Sequence, residues 1–368
     1  MSEGQSRVVL HIGYPKTGTS TLQKFLYANR ERLSERGILY PREADLVGSQ
    51  HGLAQSFTLG YRPGPRGLTF AKVGDQIRDS EEDVFVLSSE QWVVQGDQTA
   101  AALGVERFAE EADVSVDVIV FVRPQHAFIN SLYTQLAKRF HKQGMLADYA
   151  QESVERPLLD YSAHLGAWDR SPRMRLVPIP FTGGRLKPNL ETAFFDAAGL
   201  SDRVDELLEN RGPRANAASG PLAVEVCRRV AIYLGQLKDD AADQRALGRL
   251  SRAVLRLSKD RMSWDQTPFN GLDNDLRDRI DARFYKSNQA FARRYWNTDW
   301  YDIFPREYER DLTPNEFGGS RTSPRDRRAV DRTTRIALQR TDRVLGRSAQ
   351  SRSRRRETPR ARAESATD

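Results

Sequence analysis

The sequence predicts an α/β protein in which a central parallel sheet is flanked by helices. Three apolar runs of strand type, at 8–12, 84–87 and 117–122, each precede a helical pattern of apolar residues at three- and four-residue spacing. Strands that alternate with helices along a chain favour parallel strands joined by helical crossovers. From Pro221 to Trp296 the periodicity is almost wholly helical, which predicts a helical C-terminal cap.

The individual elements follow in order. The first strand leads through a glycine-containing loop into a helix that carries Leu22, Phe25, Leu26 and Leu33. A short extended piece is expected at 38–41. The remaining segments before the cap are a strand at 84–87, a helix at 98–112, a strand at 117–122 with a helix to about 143, a helix at 158–168, an extended segment at 173–179 and a helix at 190–198.

The chain has 368 residues, enough for one large domain over 1–310 and an appended tail over 311–368. Residues 319–368 contain 15 arginines against 6 acidic residues, a net charge of +9, so the rest of the chain is slightly acidic. The tail is poor in apolar residues and is expected to be disordered. It could attract an anionic polymer (nucleic acid or an acidic polysaccharide) or a membrane surface, or serve only as a solubilising appendage.

The predicted location is the cytoplasm. No apolar run approaches the roughly 18 residues of a transmembrane helix, and the polar residues 1–6 lack the apolar core of a signal peptide. Cys227 is the single cysteine, so the sequence holds no disulfide framework and no cysteine zinc site. The 48 arginines against nine lysines are typical of a bacterial, GC-rich genome.

The segment between the first strand and its helix has the composition of an anion-binding loop. Gly13 and Gly18 enclose four residues, and the backbone N–H groups of such a loop converge with the positive end of the helix dipole. An ATPase P-loop has its lysine directly after the second glycine, whereas Lys16 lies inside this loop. The candidate phosphate-binding residues are Pro15, Lys16, Thr17, Gly18, Thr19, Ser20 and Thr21.

A second phosphate-binding segment follows about a hundred residues later. The run at 117–122 ends in Arg123, whose guanidinium is a planar fork suited to phosphate, and Ser131 lies eight residues further on. These two segments, in this order, resemble the sulfotransferases that use 3′-phosphoadenosine 5′-phosphosulfate (PAPS). The resemblance implies a P-loop-like fold, a 5′-phosphosulfate loop around Lys16 and a 3′-phosphate site at Arg123 and Ser131.

The resemblance is looser from Tyr161 to Leu200 and over 288–295. The glycine-rich segment of the branch that sulfates phenols and steroids has no good copy here, and 211–216 is a weak substitute. This difference favours the bacterial and carbohydrate-sulfating branches. The implied acceptor is therefore a carbohydrate or glycoconjugate, and the implied cosubstrate and product are PAPS and adenosine 3′,5′-bisphosphate (PAP).

Sulfuryl transfer to an acceptor hydroxyl or amine requires donors for the developing charge and a general base. Lys16 and the loop amides would supply the donors. Glu90 is the first candidate base, because it follows a strand at the carboxyl edge of the sheet, where α/β ligands bind. His51, in a polar stretch expected to be a flexible loop, is the second. The alternative roles are a carboxylate at a helix N-terminus for Glu90 and an exposed loop histidine for His51.

The sequence predicts no metal site, and no aspartate of Walker-B type ends the strands at 84–87 and 117–122. This pattern disfavours a P-loop kinase acting on a small metabolite, which is the alternative enzyme. The alternative outside enzymes is a non-catalytic sulfotransferase-like protein that binds polyanions through its tail. No feature of the sequence predicts an oligomeric state.

Overall fold

The structure is a computed structural model that describes residues 6–42, 48–58, 67–94, 96–182, 189–209, 219–236, 244–261, 267–318 and 322–357. The chain forms two compact units. The first comprises Met1–Phe128, Ser153–Ala215 and Arg279–Arg310, and the second comprises Ile129–Glu152, Asn216–Asp278 and Asp311–Asp368.

A five-stranded sheet lies at the centre of the first unit. Its strands are β1 (Arg7–His11), β2 (Ile38–Leu39), β3 (Val84–Ser88), β4 (Ser115–Val122) and β5 (Met174–Pro180). Their order is β2-β3-β1-β4-β5 and every pairing is parallel, with Leu10 opposite Leu87 of β3 and Val118 of β4. The predicted α/β fold with a parallel central sheet is thereby confirmed. The three inner strands are buried almost throughout, as expected when helices cover both faces of a parallel sheet.

Helices connect and surround the strands. In chain order they are α1 (Thr19–Ala28), α2 (Arg30–Ser34), α3 (His51–Thr58), α4 (Phe70–Asp79), α5 (Gln91–Val94), α6 (Gln98–Glu111), α7 (Gln125–Lys138), α8 (Leu146–Ser153), α9 (Tyr161–Leu165), α10 (Leu190–Ala197), α11 (Ser201–Glu209), α12 (Pro221–Gln236), α13 (Gln244–Arg261), α14 (Asn274–Trp296), α15 (Trp300–Ile303), α16 (Pro305–Glu309) and α17 (Pro324–Glu357). Two 3₁₀ turns lie at Pro157–Leu159 and Gly166–Asp169. None of the helices in the described residues has the length and hydropathy of a membrane-spanning segment.

The packing of α1 against the sheet positions the predicted anion-binding loop. Leu22 and Leu26 lie one turn apart on α1, are fully buried, and share a core cluster with Val9 of β1 and Phe194 of α10. Because these contacts fix α1 on the sheet, its N-terminus is held directly after the carboxyl end of β1.

The second unit contains a group of three helices, α12, α13 and α17, that pack against one another. Their shared core includes Val226, Val230, Val254, Val330 and Ala337, all of which are fully buried. Because α17 contributes to this core, the packing bears on the disorder expected for residues 311–368.

The structure does not confirm the disorder expected for residues 311–368. Pro324–Glu357 form α17, and Val330, Ala337 and Thr341 are completely buried. In the part of the helix whose side chains are described, the buried residues besides Val330 are Thr333, Thr334, Ala337 and Thr341, so the apolar periodicity is weak in the sequence. Residues 319–321 and 358–368 of the predicted tail lie outside the described residues, and the proposed division at residue 310 stays a prediction.

Candidate functional site

The strand order identifies the edge of the sheet at which a ligand would bind. From β1 the chain crosses towards β2, whereas from the neighbouring β4 it crosses the other way, to β5. Crossovers that leave adjacent strands in opposite directions open a crevice at the carboxyl ends of those strands. The loop around Lys16 follows β1, Arg123 follows β4, and Glu90 follows β3, which flanks β1. The three predicted segments therefore lie at one edge of the sheet.

The loop after β1 is closed by its own polar groups. Ile12 N–H donates to the carbonyl of Ile119 over 3.0 Å, which extends the pairing of β1 with β4 by one residue. Thr17 is fully buried, and its hydroxyl donates to the carbonyl of Tyr14 over 2.6 Å. The structure thus gives the Thr17 hydroxyl a role in closing the loop. Lys16, which directly precedes Thr17, has a left-handed φ of 70° and follows the half-buried Pro15.

The N-terminus of α1 presents the polar groups of an anion site. Gly18 is the N-cap residue of the helix, and its left-handed φ of 86° favours glycine. A Cβ at this position would also lie 2.7 Å from Cδ2 of Leu190, so that side chain would have to shift. No side chain among the described residues caps the helix, and its first turn carries no acidic residue. The first amides of a helix have no partner within it, so they can donate to an anion. Ser20 and Thr21 are half-buried there, and Thr19 is buried.

Arg123 links the second predicted segment to this loop. Its Nη1 donates to the carbonyl of Lys16 over 3.1 Å, and its guanidinium carbon lies 5.6 Å from the ring centre of Phe181. The backbone carbonyl of Arg123 accepts from the Tyr161 hydroxyl at 2.7 Å. Burial lowers the pKa of the Arg123 guanidinium, and the nearby Glu307 carboxylate opposes that shift.

The Nε of Arg123 is buried and has no hydrogen-bond partner in the described part of the chain, although part of the side chain reaches the surface. A buried N–H of a charged group without an acceptor is costly, so this atom fits a site completed by an anion. Ser131, the predicted companion of Arg123, is half-buried on α7 in the portion that belongs to the second unit. Its role stays a prediction.

The two candidate bases lie side by side. His51 is the first residue of α3, so the prediction that it belongs to a flexible loop was wrong; the helix begins at this residue. Its Nε2 lies 3.8 Å from Oε1 of Glu90, and its Nδ1 lies 2.8 Å from the hydroxyl oxygen of Ser89. The side chains of Glu90 and His51 are 20% and 23% exposed, so both remain accessible to a substrate. Glu90 and His51, which the sequence offered as alternative bases, therefore lie in one cluster.

Gln23 is the member of this cluster that the sequence reasoning missed. It lies on α1, is fully buried, and donates from Nε2 to Oε2 of Glu90 over 3.0 Å. Its own Oε1 is buried without a partner among the described residues. A signal for it existed, because Gln23 is a polar residue directly after Leu22, within the helical pattern of Leu22 and Leu26 that indicates the buried face.

His11 lies on β1 beneath the loop, in the core of the first unit. It is completely buried, its Nδ1 lies 2.7 Å from the Ser88 hydroxyl oxygen, and its ring contacts Phe121 and Phe194 edge-on. Burial lowers the pKa of His11 to about 3, so the imidazole is neutral.

No protein-family model matches this chain, and no curated protein is significantly similar to it. Across the described ranges, no three or more His, Cys, Asp or Glu side chains are grouped so that they could hold a metal ion.

Proposed function

We propose that this protein is a cytoplasmic, PAPS-dependent sulfotransferase with a P-loop-like core, acting on a hydroxyl or amine of a carbohydrate or glycoconjugate. The observation that carries the proposal is the hydrogen bond from Arg123 Nη1 to the Lys16 carbonyl. It joins the segment expected to hold a 3′-phosphate to the loop expected to hold a 5′-phosphosulfate. A ligand with an anionic group at each end fits such a pair of segments.

The residues present suit the two ends of PAPS. The N-terminus of α1, which no side chain of the described residues caps, would hold the 5′-phosphosulfate together with Lys16, since backbone amides and a lysine cation complement its negative charge. Arg123, whose buried Nε has no hydrogen-bond partner among the described residues, would hold the 3′-phosphate. When bound, PAPS supplies an activated sulfuryl group whose leaving group is PAP. The part that the resemblance gives to Ser131 belongs to the same proposal.

The cluster at Glu90 supports a base for the acceptor. Gln23 holds Oε2 of Glu90, which fixes the orientation of the carboxylate and leaves Oε1 on the side of His51. Glu90 would take the proton from the acceptor hydroxyl. His51 would share this role in the tautomer that donates its Nδ1 proton to Ser89, because Nε2 is then the accepting nitrogen. Lys16 and the α1 amides would stabilise the charge that grows on the sulfuryl oxygens.

Calorimetry tests the cofactor assignment. PAP should bind without magnesium, and 5′-AMP should bind at least about tenfold more weakly, because a hydrogen bond to a charged group contributes roughly 1.5–3 kcal/mol. Arg123→Lys should reduce the preference for PAP. Arg175→Lys, at an exposed arginine paired with Asp117 on β4, is the matched control and should not. Equal affinities of the wild type for PAP and 5′-AMP would remove the assignment of Arg123.

Turnover tests the reaction class. Radiolabelled PAPS should transfer sulfate to one or more members of a panel of glycans and small alcohols. Phosphate transfer from ATP with magnesium, without sulfate transfer from PAPS, would replace the proposal with a P-loop kinase. A protein that binds polyanions but neither PAP nor ATP would instead be a non-catalytic binding protein.

A further inference from the structure

Two helices of the second unit carry the same eight-residue pattern, Arg-Xaa-Xaa-Arg-Ala-Val-Xaa-Arg. It occupies 249–256 on α13 and 325–332 on α17. The valines of the two copies, Val254 and Val330, are each 0% exposed and belong to the same core cluster. The pattern therefore places one apolar anchor in equivalent positions of two helices that pack together.

The arginines of the pattern form a stripe on each helix. Residues at i, i+3 and i+7 share one face of a helix, here the face opposite the buried valine. All six are exposed, and with a rise of 1.5 Å per residue each triplet spans about 10 Å. We call these residues the arginine stripes: Arg249, Arg252 and Arg256 on α13, and Arg325, Arg328 and Arg332 on α17.

The stripes carry charge that the described residues do not neutralise. None of the six arginines forms an ion pair with a residue in the described part of the chain. On the neighbouring α12, by contrast, Arg228 and Arg229 both pair with the buried Glu225, at 2.8 Å and 2.7 Å. Arg228 and Arg229 on α12 thus form ion pairs within the protein, whereas the arginine stripes on α13 and α17 are exposed to solvent.

We propose that the arginine stripes bind an extended acidic polysaccharide that bears sulfate or carboxylate groups. Each stripe presents three exposed guanidinium forks along about 10 Å of helix, which complement oxyanions carried at intervals along a polymer, and arginine pairs with oxyanions in a bidentate manner. The choice of a glycan among polyanions rests on the proposed function, since a carbohydrate sulfotransferase acts on this class and produces it.

Two further observations disfavour an anionic membrane and a nucleic acid as the ligand of the stripes. The apolar faces of α13 and α17 are buried in a shared core, so neither helix has an apolar face to insert into a membrane. The large exposed hydrophobic side chains of the described residues are Tyr27, Leu103 and Tyr285, all in the first unit, so the stripes lack an aromatic platform for stacking bases.

The test measures binding of the full-length protein to immobilised heparin and to a hyaluronan oligosaccharide over a salt series. The stripe variant is Arg252→Gln with Arg328→Gln and Arg332→Gln. The matched control removes three exposed arginines of the first unit, Arg32→Gln with Arg107→Gln and Arg170→Gln. An exposed ion pair changes affinity by roughly twofold, so the stripe variant should bind about tenfold more weakly and with a smaller salt dependence. The control should stay within about twofold of the wild type.

Equal weakening of the two variants would overturn the proposal, because binding would then follow net charge and not the stripes. Tighter binding of duplex DNA of equal charge, or of vesicles containing anionic lipid, with the same sensitivity to the stripe variant, would overturn the choice of a glycan. PAP calorimetry on the wild type and the stripe variant separates this proposal from the proposed function. If heparin binding depends on the stripes but the wild type does not bind PAP, the polysaccharide-binding surface is supported and the sulfotransferase proposal is rejected.

Discussion

The carboxylate of Glu90 and the imidazole of His51 lie 3.8 Å apart, measured from Oε1 to Nε2. Glu90 follows β3 and His51 begins α3, so the contact joins residues 39 positions apart in sequence. Gln23 donates to the other carboxylate oxygen of Glu90, Oε2, and the Ser89 hydroxyl contacts the other ring nitrogen of His51, Nδ1. A substitution of either candidate base therefore changes the surroundings of the other, and their effects on turnover should not add.

Substitution of the two bases, singly and together, tests this coupling. Glu90→Gln keeps the size and hydrogen bonding of the side chain but cannot accept a proton, so turnover should fall by about 10²–10⁴-fold. His51→Ala should lower turnover less. The double variant should lose less activity than the product of the two single losses, because the residues act as a unit. PAP affinity, measured by calorimetry, should be unchanged in all three. Near-normal turnover of Glu90→Gln together with inactive His51→Ala would make His51 the base.

Gln23→Leu tests whether the glutamine orients Glu90. The variant removes the 3.0 Å hydrogen bond to Oε2 at nearly constant volume. We expect kcat to fall by about tenfold with unchanged PAP affinity, because the carboxylate loses its fixed orientation. The free energy of unfolding should change by no more than about 1 kcal/mol, since Gln23 also buries an oxygen that has no partner among the described residues. Unchanged kcat would show that the hydrogen bond has no bearing on turnover.

Two substitutions of Lys16 separate its side chain from its backbone. Both Lys16→Ala and Lys16→Gly should reduce turnover by at least about 10²–10³-fold, because the ammonium meets charge that develops in the transition state. Since φ is 70° at this residue, glycine should be more stable here than alanine by roughly 1 kcal/mol. Comparable losses of kcat in two variants of different thermal stability would assign the effect to the side chain. Activity retained by Lys16→Gly would contradict it.

The buried His11 predicts a loss of stability on acidification. Its folded-state pKa is about 3, below the unfolded value of about 6.5, so the unfolded chain binds the extra proton between these values. Stability from this group is thus full above pH 6.5 and declines as the pH falls. Between pH 7 and pH 5 the wild type should lose about 2 kcal/mol more than His11→Gln, as measured by urea unfolding at each pH. Parallel pH dependences of the two proteins would show that His11 is not buried in its neutral form.

Packing of α17 predicts that the basic C-terminal region contributes to stability. Val330 is fully buried between helices, so Val330→Ala should destabilise the protein by about 2 kcal/mol through lost burial and a residual cavity. Arg332→Ala, exposed on the same helix, is the control and should change stability by less than about 0.5 kcal/mol. Thermal unfolding compares the two. Equal effects would indicate that α17 does not pack through Val330.

The sequence predicted the sheet well because its inner strands are continuous apolar runs, and it located the loop after β1 from Gly13, Gly18 and Lys16. It did not predict α17, because threonines and alanines provide much of the buried face of that helix. Nor did it predict the cluster of Gln23, His51 and Glu90. These residues come from three separate elements, and their contact depends on the strand order, which local periodicity does not encode.

The hydrogen bond between Arg123 and the Lys16 carbonyl also has a thermodynamic consequence. The same guanidinium that supports the left-handed residue of the loop is the group available to an anion beside β4. An anion that reorients Arg123 alters the support of the loop, and an anion that orders the loop fixes the guanidinium. Under the proposed function, anions occupy both ends of the crevice, and binding at one end should change the affinity of the other. Linkage requires the same factor in both directions. PAPS, the ligand proposed to span the crevice, should therefore meet one coupled site and not two independent ones.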